Sequence, residues 1–159
     1  MITRTIAVNL TLLLVAQRAV AAGGTIRGTV STMPRKYTKD VVVYLKQVPG
    51  THAPEQGKVM DQRKMVCLPH VLPVVVNSPV KFLNSDNVGH NVFSPDHEKY
   101  NLGTWPKGET RTYKFDKPGI YTQLCHVHPE MQAFIVVLQN RYYAVTDDEG
   151  KYHFEGLTT

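Results

Sequence analysis

The sequence predicts an all-β sandwich. Short runs of β-branched and aromatic residues recur along the chain, Gly, Pro, Asn and Asp punctuate them, and no segment sustains a helical period. At 159 residues the chain is long enough for one domain with a real core and a small appendage.

The first 22 residues stand apart. Arg4 gives a positive start, residues 6–15 form an apolar run broken only by Asn9 and Thr11, and Ala19-Val20-Ala21 is a small-x-small site. This pattern is expected of a secretory signal peptide over residues 1–22. The run falls well short of the roughly 20 residues a spanning helix needs. The expected product is periplasmic or otherwise exported, with no membrane span after cleavage. Cleavage after Ala21 removes Arg4 and Arg18 and no acid, leaving sixteen basic against thirteen acidic residues, a net charge of +3. The basic residues are scattered and not interleaved with aromatics, so no nucleic-acid partner is expected.

The strands follow in order. Residues 25–30 alternate, and 41–45 are β-branched and apolar. Segments 71–76 and 80–83 flank the turn Asn77-Ser78-Pro79, and His90-Asn91-Val92-Phe93 follows a turn-rich stretch. Residues 110–115 alternate, Lys117-Pro118-Gly119 turns the chain into 120–125, and 133–138 are continuously apolar. A short helical turn at 95–100 has no periodic support. Residues 47–57, with two prolines and two glycines, read as a loop. The expected organisation is an N-terminal β segment at 24–50, a main domain at 59–139, and a β-hairpin at 140–159 around the acidic turn Asp147-Asp148-Glu149-Gly150.

The chemistry concentrates in Cys125-His126-Val127-His128-Pro129-Glu130-Met131. A thiolate and a thioether are soft ligands and imidazole is intermediate, a combination that suits copper. Structural zinc would more often use several cysteines, and the C-x-x-C-H of a c-type haem is absent. A His₂Cys site needs a second histidine from elsewhere. His90 is the candidate, because it opens a strand directly after a turn, at the lip of a sandwich. Residues 126–132 form a tight loop between the strand ending at Cys125 and the strand beginning at Ala133. The competing reading is a Cys67–Cys125 disulfide, closing a loop of 59 residues and worth roughly 4 kcal/mol. Cys67 is otherwise a small buried hydrophobe. His126 should face away from Cys125, since neighbours in extended chain face opposite sides.

From about Val59 to Leu138 the chain resembles the cupredoxins, the small Greek-key blue-copper electron carriers, especially the amicyanin-like kind with C-x-x-H-x-x-M. The resemblance rests on Asp86-x-x-x-His90-Asn91-Val92-Phe93, Lys117-Pro118-Gly119-Ile120-Tyr121 and the 125–131 loop. It extends to exported proteins labelled as methylamine-utilisation proteins. The resemblance implies one type 1 copper ion, with His90, Cys125 and His128 as equatorial ligands, Met131 as axial ligand, and Asn91 tying the ligand loops together by hydrogen bonds. His126 departs from the small hydroxyl residue often found there. The flanks resemble the first strands and final hairpin of a carboxypeptidase-regulatory-like β-domain.

Two functions are therefore expected to compete. The leading one is an exported carrier of single electrons between redox proteins, a cytochrome c-like protein or an oxidoreductase, with no enzymatic activity of its own. The other is copper carriage or storage.

Overall fold

The computed structural model describes residues 23–157; the expected signal peptide, 1–22, lies outside the described residues. Thirteen strands run in chain order: β1 (Gly24–Thr29), β2 (Val42–Tyr44), β3 (Lys58–Arg63), β4 (Val66–Leu68), β5 (Val71–Val75), β6 (Pro79–Asn84), β7 (His90–Ser94), β8 (Tyr100–Trp105), β9 (Thr110–Lys114), β10 (Gly119–Leu124), β11 (Gln132–Leu138), β12 (Tyr143–Val145) and β13 (Lys151–Leu157). Among the described residues the sole helical segment is a 3₁₀ turn at Arg35–Tyr37.

Two sheets make the sandwich. One has the order β5-β11-β10-β7-β8, the other β4-β3-β6-β9. Pairs β5–β11 and β3–β6 are parallel, and the remaining pairs antiparallel. Alternation along each strand fills the space between them. Tyr121 and Gln123 of β10, Ala133, Ile135 and Val137 of β11, and Val80 and Phe82 of β6 all turn inward and are buried. All of these but Gln123 share one hydrophobic cluster with Met60, Trp105, Phe115 and, at the end of β10, Cys125. Pro73 sits inside β5 without disrupting the sheet because β5 is an edge strand.

Three connections complete the layout. Segments 71–75 and 79–84 are joined by a tight turn, with Asn77 at φ 66°, yet lie in different sheets. No helical turn forms at 95–100; residues 96–98 are bends and β8 begins at Tyr100. That strand was hidden by Asn101 and Gly103, residues depleted in strands. The hairpin expected at 140–159 also takes another form. Its strands are joined by a turn in which Gly150 N–H donates to Asp147 O at 3.0 Å. They do not pair with each other: β12 pairs with β2, and β13 with β1. Alternation and a turn sequence are satisfied equally by either arrangement, so the local pattern did not distinguish them.

Candidate metal centre

β10 and β7 bring the donors together. Tyr121, Gln123 and Cys125 continue one inward-facing row, which leaves Cys125 4% exposed at the end of the sandwich. His90 opens β7 and is fully buried. The chain then turns back: Met131 N–H donates to His128 O at 3.0 Å before β11 starts at Gln132. His128 thereby faces His90. Their Nδ1 atoms are 3.0 Å apart, and Cys125 Sγ is 4.0 Å from His128 Nδ1. The donor atoms of His90, Cys125 and His128 all lie within 4.8 Å of one another. One thiol and two imidazoles in that space could hold one metal ion, and the donor chemistry matches copper.

Asn91 links the two segments that carry these donors. Its N–H donates to Cys125 Sγ at 3.4 Å, and its Oδ1 accepts the His126 N–H at 3.4 Å. Its amide nitrogen donates to Asn101 Oδ1 and Gly103 O, both at 2.8 Å. The second of these bonds uses the His126 backbone N–H and does not depend on the side chain at that position. Met131 is 1% exposed and belongs to the same core cluster as Cys125. His126 is exposed and stacks on Phe93, ring centroids 3.7 Å apart and planes 3° from parallel.

Cys67 and Cys125 are both free thiols, so the disulfide reading does not hold. Cys67 is 4% exposed; burial, and secondarily the nearby Cys125, push its thiol up to about 12. His70 is exposed and meets the edge of Phe134 with centroids 5.5 Å apart.

Sequence reasoning missed Asp86. Its carboxylate Oδ2 lies 2.9 Å from His90 Nε2, the ring nitrogen facing away from the donor cluster. It also accepts the backbone N–H groups of Met65 at 2.9 Å and Lys64 at 2.6 Å. The Met65 N–H first, and then the His90 ring and Lys64 N–H, hold the carboxyl near 2, against the opposing effect of burial. The quoted Asp86-x-x-x-His90 contained the signal. In a loop, however, a spacing of four carries no geometry of its own.

No family model matches the chain, and no curated protein does. Solved structures do. The copper-containing nitrite reductase NirK from Thermus scotoductus SA-01 is 23% identical over 65% of this chain, with a TM-score of 0.50; the matched part is 26% of that enzyme's chain. A novel purple cupredoxin from Nitrosopumilus maritimus is 21% identical over 51% of this chain and 99% of its own, with a TM-score of 0.48. A point mutant of amicyanin in its Cu(I) form is 25% identical over 50% of this chain and 79% of its own, with a TM-score of 0.47. The likeness to the nitrite reductase concerns the fold alone. The chain shares that fold, an all-β sandwich, and carries a His-Cys-His group at one end. None of these proteins' names carries the methylamine-utilisation label.

Proposed function

We propose that this chain is an exported type 1 copper protein that carries single electrons between redox partners. The observation that carries the reading is the convergence of His90, Cys125 and His128 within 4.8 Å at one end of a cupredoxin sandwich. Copper bound there would supply one-electron chemistry. Met131, buried in the same core cluster as Cys125 and six residues after it, is the proposed axial ligand. Asn91 holds the two ligand segments in register, which limits the rearrangement of the ligands between oxidation states. His128 is only partly buried, and Val88 and Val127, 45% and 48% exposed, lie beside the two histidine-bearing segments. This rim is the proposed edge for exchange with a cytochrome c-like protein or an oxidoreductase. The chain has no catalytic role in this reading.

The leader pattern at 1–22 supports export. Among the described residues no helix is long and apolar enough to cross a membrane. The β1–β13 and β2–β12 pairings support a reading in which 24–50 and 140–159 form one small β-unit around the cupredoxin domain at 59–139.

Copper(II) titration of the purified protein tests the proposal. The expected result is an intense visible thiolate-to-copper absorption at one equivalent, absent in Cys125→Ala, and a reversible one-electron wave in voltammetry. Tight binding without a reversible wave would instead indicate copper carriage or storage. No visible band would sink the type 1 assignment.

A further inference from the structure

We infer that Asp86 is the positioning residue for the metal ligand His90: its carboxylate holds the imidazole as the Nε2–H tautomer with Nδ1 turned into the donor cluster, and sets the charge balance of the site. The inference rests on the copper reading above.

The first argument is the tautomer. A neutral imidazole carries one N–H, and an ionised carboxylate only accepts. Asp86 Oδ2, 2.9 Å from His90 Nε2, therefore accepts a hydrogen bond from Nε2–H and leaves the Nδ1 lone pair free. His90 Nδ1 is the atom 3.0 Å from His128 Nδ1, inside the donor cluster. Because the His90 ring is fully buried, solvent is poorly placed to take over the role of Asp86.

The second argument is that the carboxylate is itself anchored. The two-residue loop between β3 and β4 is Lys64-Met65, with φ of 56° and 62°. Positive φ at both central residues is the signature of a type I′ hairpin turn, which favours Asn and Gly and is strained for Lys and Met. In this turn both N–H groups point at Asp86, at 2.6 Å to Oδ1 and 2.9 Å to Oδ2. Asp86 N–H in turn donates to Asn84 Oδ1 at 2.9 Å. A turn chosen for its residues alone would not be Lys-Met. Its conformation is accounted for by the carboxylate it holds, and through that carboxylate the hairpin fixes His90.

The third argument is charge. Among the described residues no lysine or arginine forms an ion pair with Asp86; the nearby Arg63 is taken by Asp61 at 2.9 Å. Asp86 therefore places one negative charge an imidazole's width from the metal position. With the Cys125 thiolate it balances a divalent ion, whereas a monovalent ion leaves the site one charge negative. Asp86 thus favours the oxidised state.

Asp86→Asn and Asp86→Ala test this, with Met65→Gly as a control that keeps both N–H donors and the Lys64 charge and relieves the turn. In copper-loaded protein, Asp86→Asn should raise the reduction potential by an amount equal to about a tenfold shift in relative Cu(II) over Cu(I) affinity, about 59 mV for one electron. Asp86→Ala should also weaken Cu(II) binding about 10- to 100-fold. The control should leave the potential unchanged. In metal-free protein, the His90 Nε2–H should appear as a slowly exchanging NMR resonance in the wild type and be lost in Asp86→Ala. If Asp86→Asn shifts only the unfolding midpoint and leaves the potential at the wild-type value, the residue is merely structural and the inference is wrong. A wild-type chain that takes up no copper would sink the copper reading, while the NMR tautomer would still decide whether Asp86 positions His90.

Discussion

The phenol oxygen of Tyr143 lies 2.7 Å from both carboxylate oxygens of Glu55, and Lys58 Nζ donates to the same phenol at 2.6 Å. Glu55 Oε2 also accepts the Val75 N–H at 3.0 Å. The cluster joins β12, in the C-terminal flank, to the loop entering β3 and to the sandwich edge at β5. Burial first, and then Glu55, raise the Tyr143 phenol far above its ordinary value, so it stays a neutral donor. Tyr143→Phe removes the donor and leaves the carboxylate one partner short. The expected loss is about 1–2 kcal/mol, read from the urea midpoint, with the copper absorption unchanged. A changed absorption with an unchanged midpoint would contradict the assignment of this cluster to stability alone.

His126 is the loop residue most open to misassignment, since it neighbours Cys125 directly. Its ring stacks on Phe93 on the exposed side, away from the donors. His126→Phe should keep the stack, the visible copper band and one equivalent of bound metal. His126→Ala should cost about 0.5–1.5 kcal/mol through the lost aromatic pair and still keep the band. Loss of the band in both variants would make His126 a ligand.

The legibility of this protein divides by range. The strands that build the sandwich were readable because alternation reports a buried face directly, as in β10 and β11. Cys125, His128 and their loop were readable because the turn between two strands compresses their spacing into a few residues. His90 was readable as a residue at a strand's lip. What escaped depended on contacts between distant segments. Asp86 acts through a turn at Lys64-Met65 whose residues do not advertise it. The tail strands satisfy their hydrogen bonds with β1 and β2, more than 90 residues away, and nothing local in 143–157 records that choice. The strand β8 was masked by Asn101, whose side chain proves to serve Asn91.

Cys67 offers a direct check on the thiol inventory. It is 4% exposed, and burial drives its thiol up to about 12, so at pH 8 it is almost wholly protonated and out of reach. The thiolate is the reactive form. In folded, metal-free protein, iodoacetamide at pH 8 should leave Cys67 unmodified, as read by peptide mass spectrometry. In urea both cysteines should be alkylated, two per chain, without prior reduction. Finding neither alkylated would restore the disulfide reading.

Asp96 gives the fold a pH dependence outside the donor cluster. Its carboxylate accepts the Thr122 N–H of β10 at 2.7 Å. That bond, chiefly, lowers its pKa from the ordinary 3.8, with burial opposing and His97 contributing in the same direction. A carboxyl with a lowered folded value adds stability that is fully present above its unfolded value and is lost as pH falls through the folded one. Asp96→Asn removes this titration while keeping an acceptor oxygen. The wild type should therefore be more stable than Asp96→Asn at pH 7 and at pH 5, and the gap should close as pH falls below about 4. Urea midpoints for both proteins across pH 7 to 3 measure it. A gap that stays constant across that range would show that the Asp96 charge makes no contribution to holding the 95–99 loop against β10.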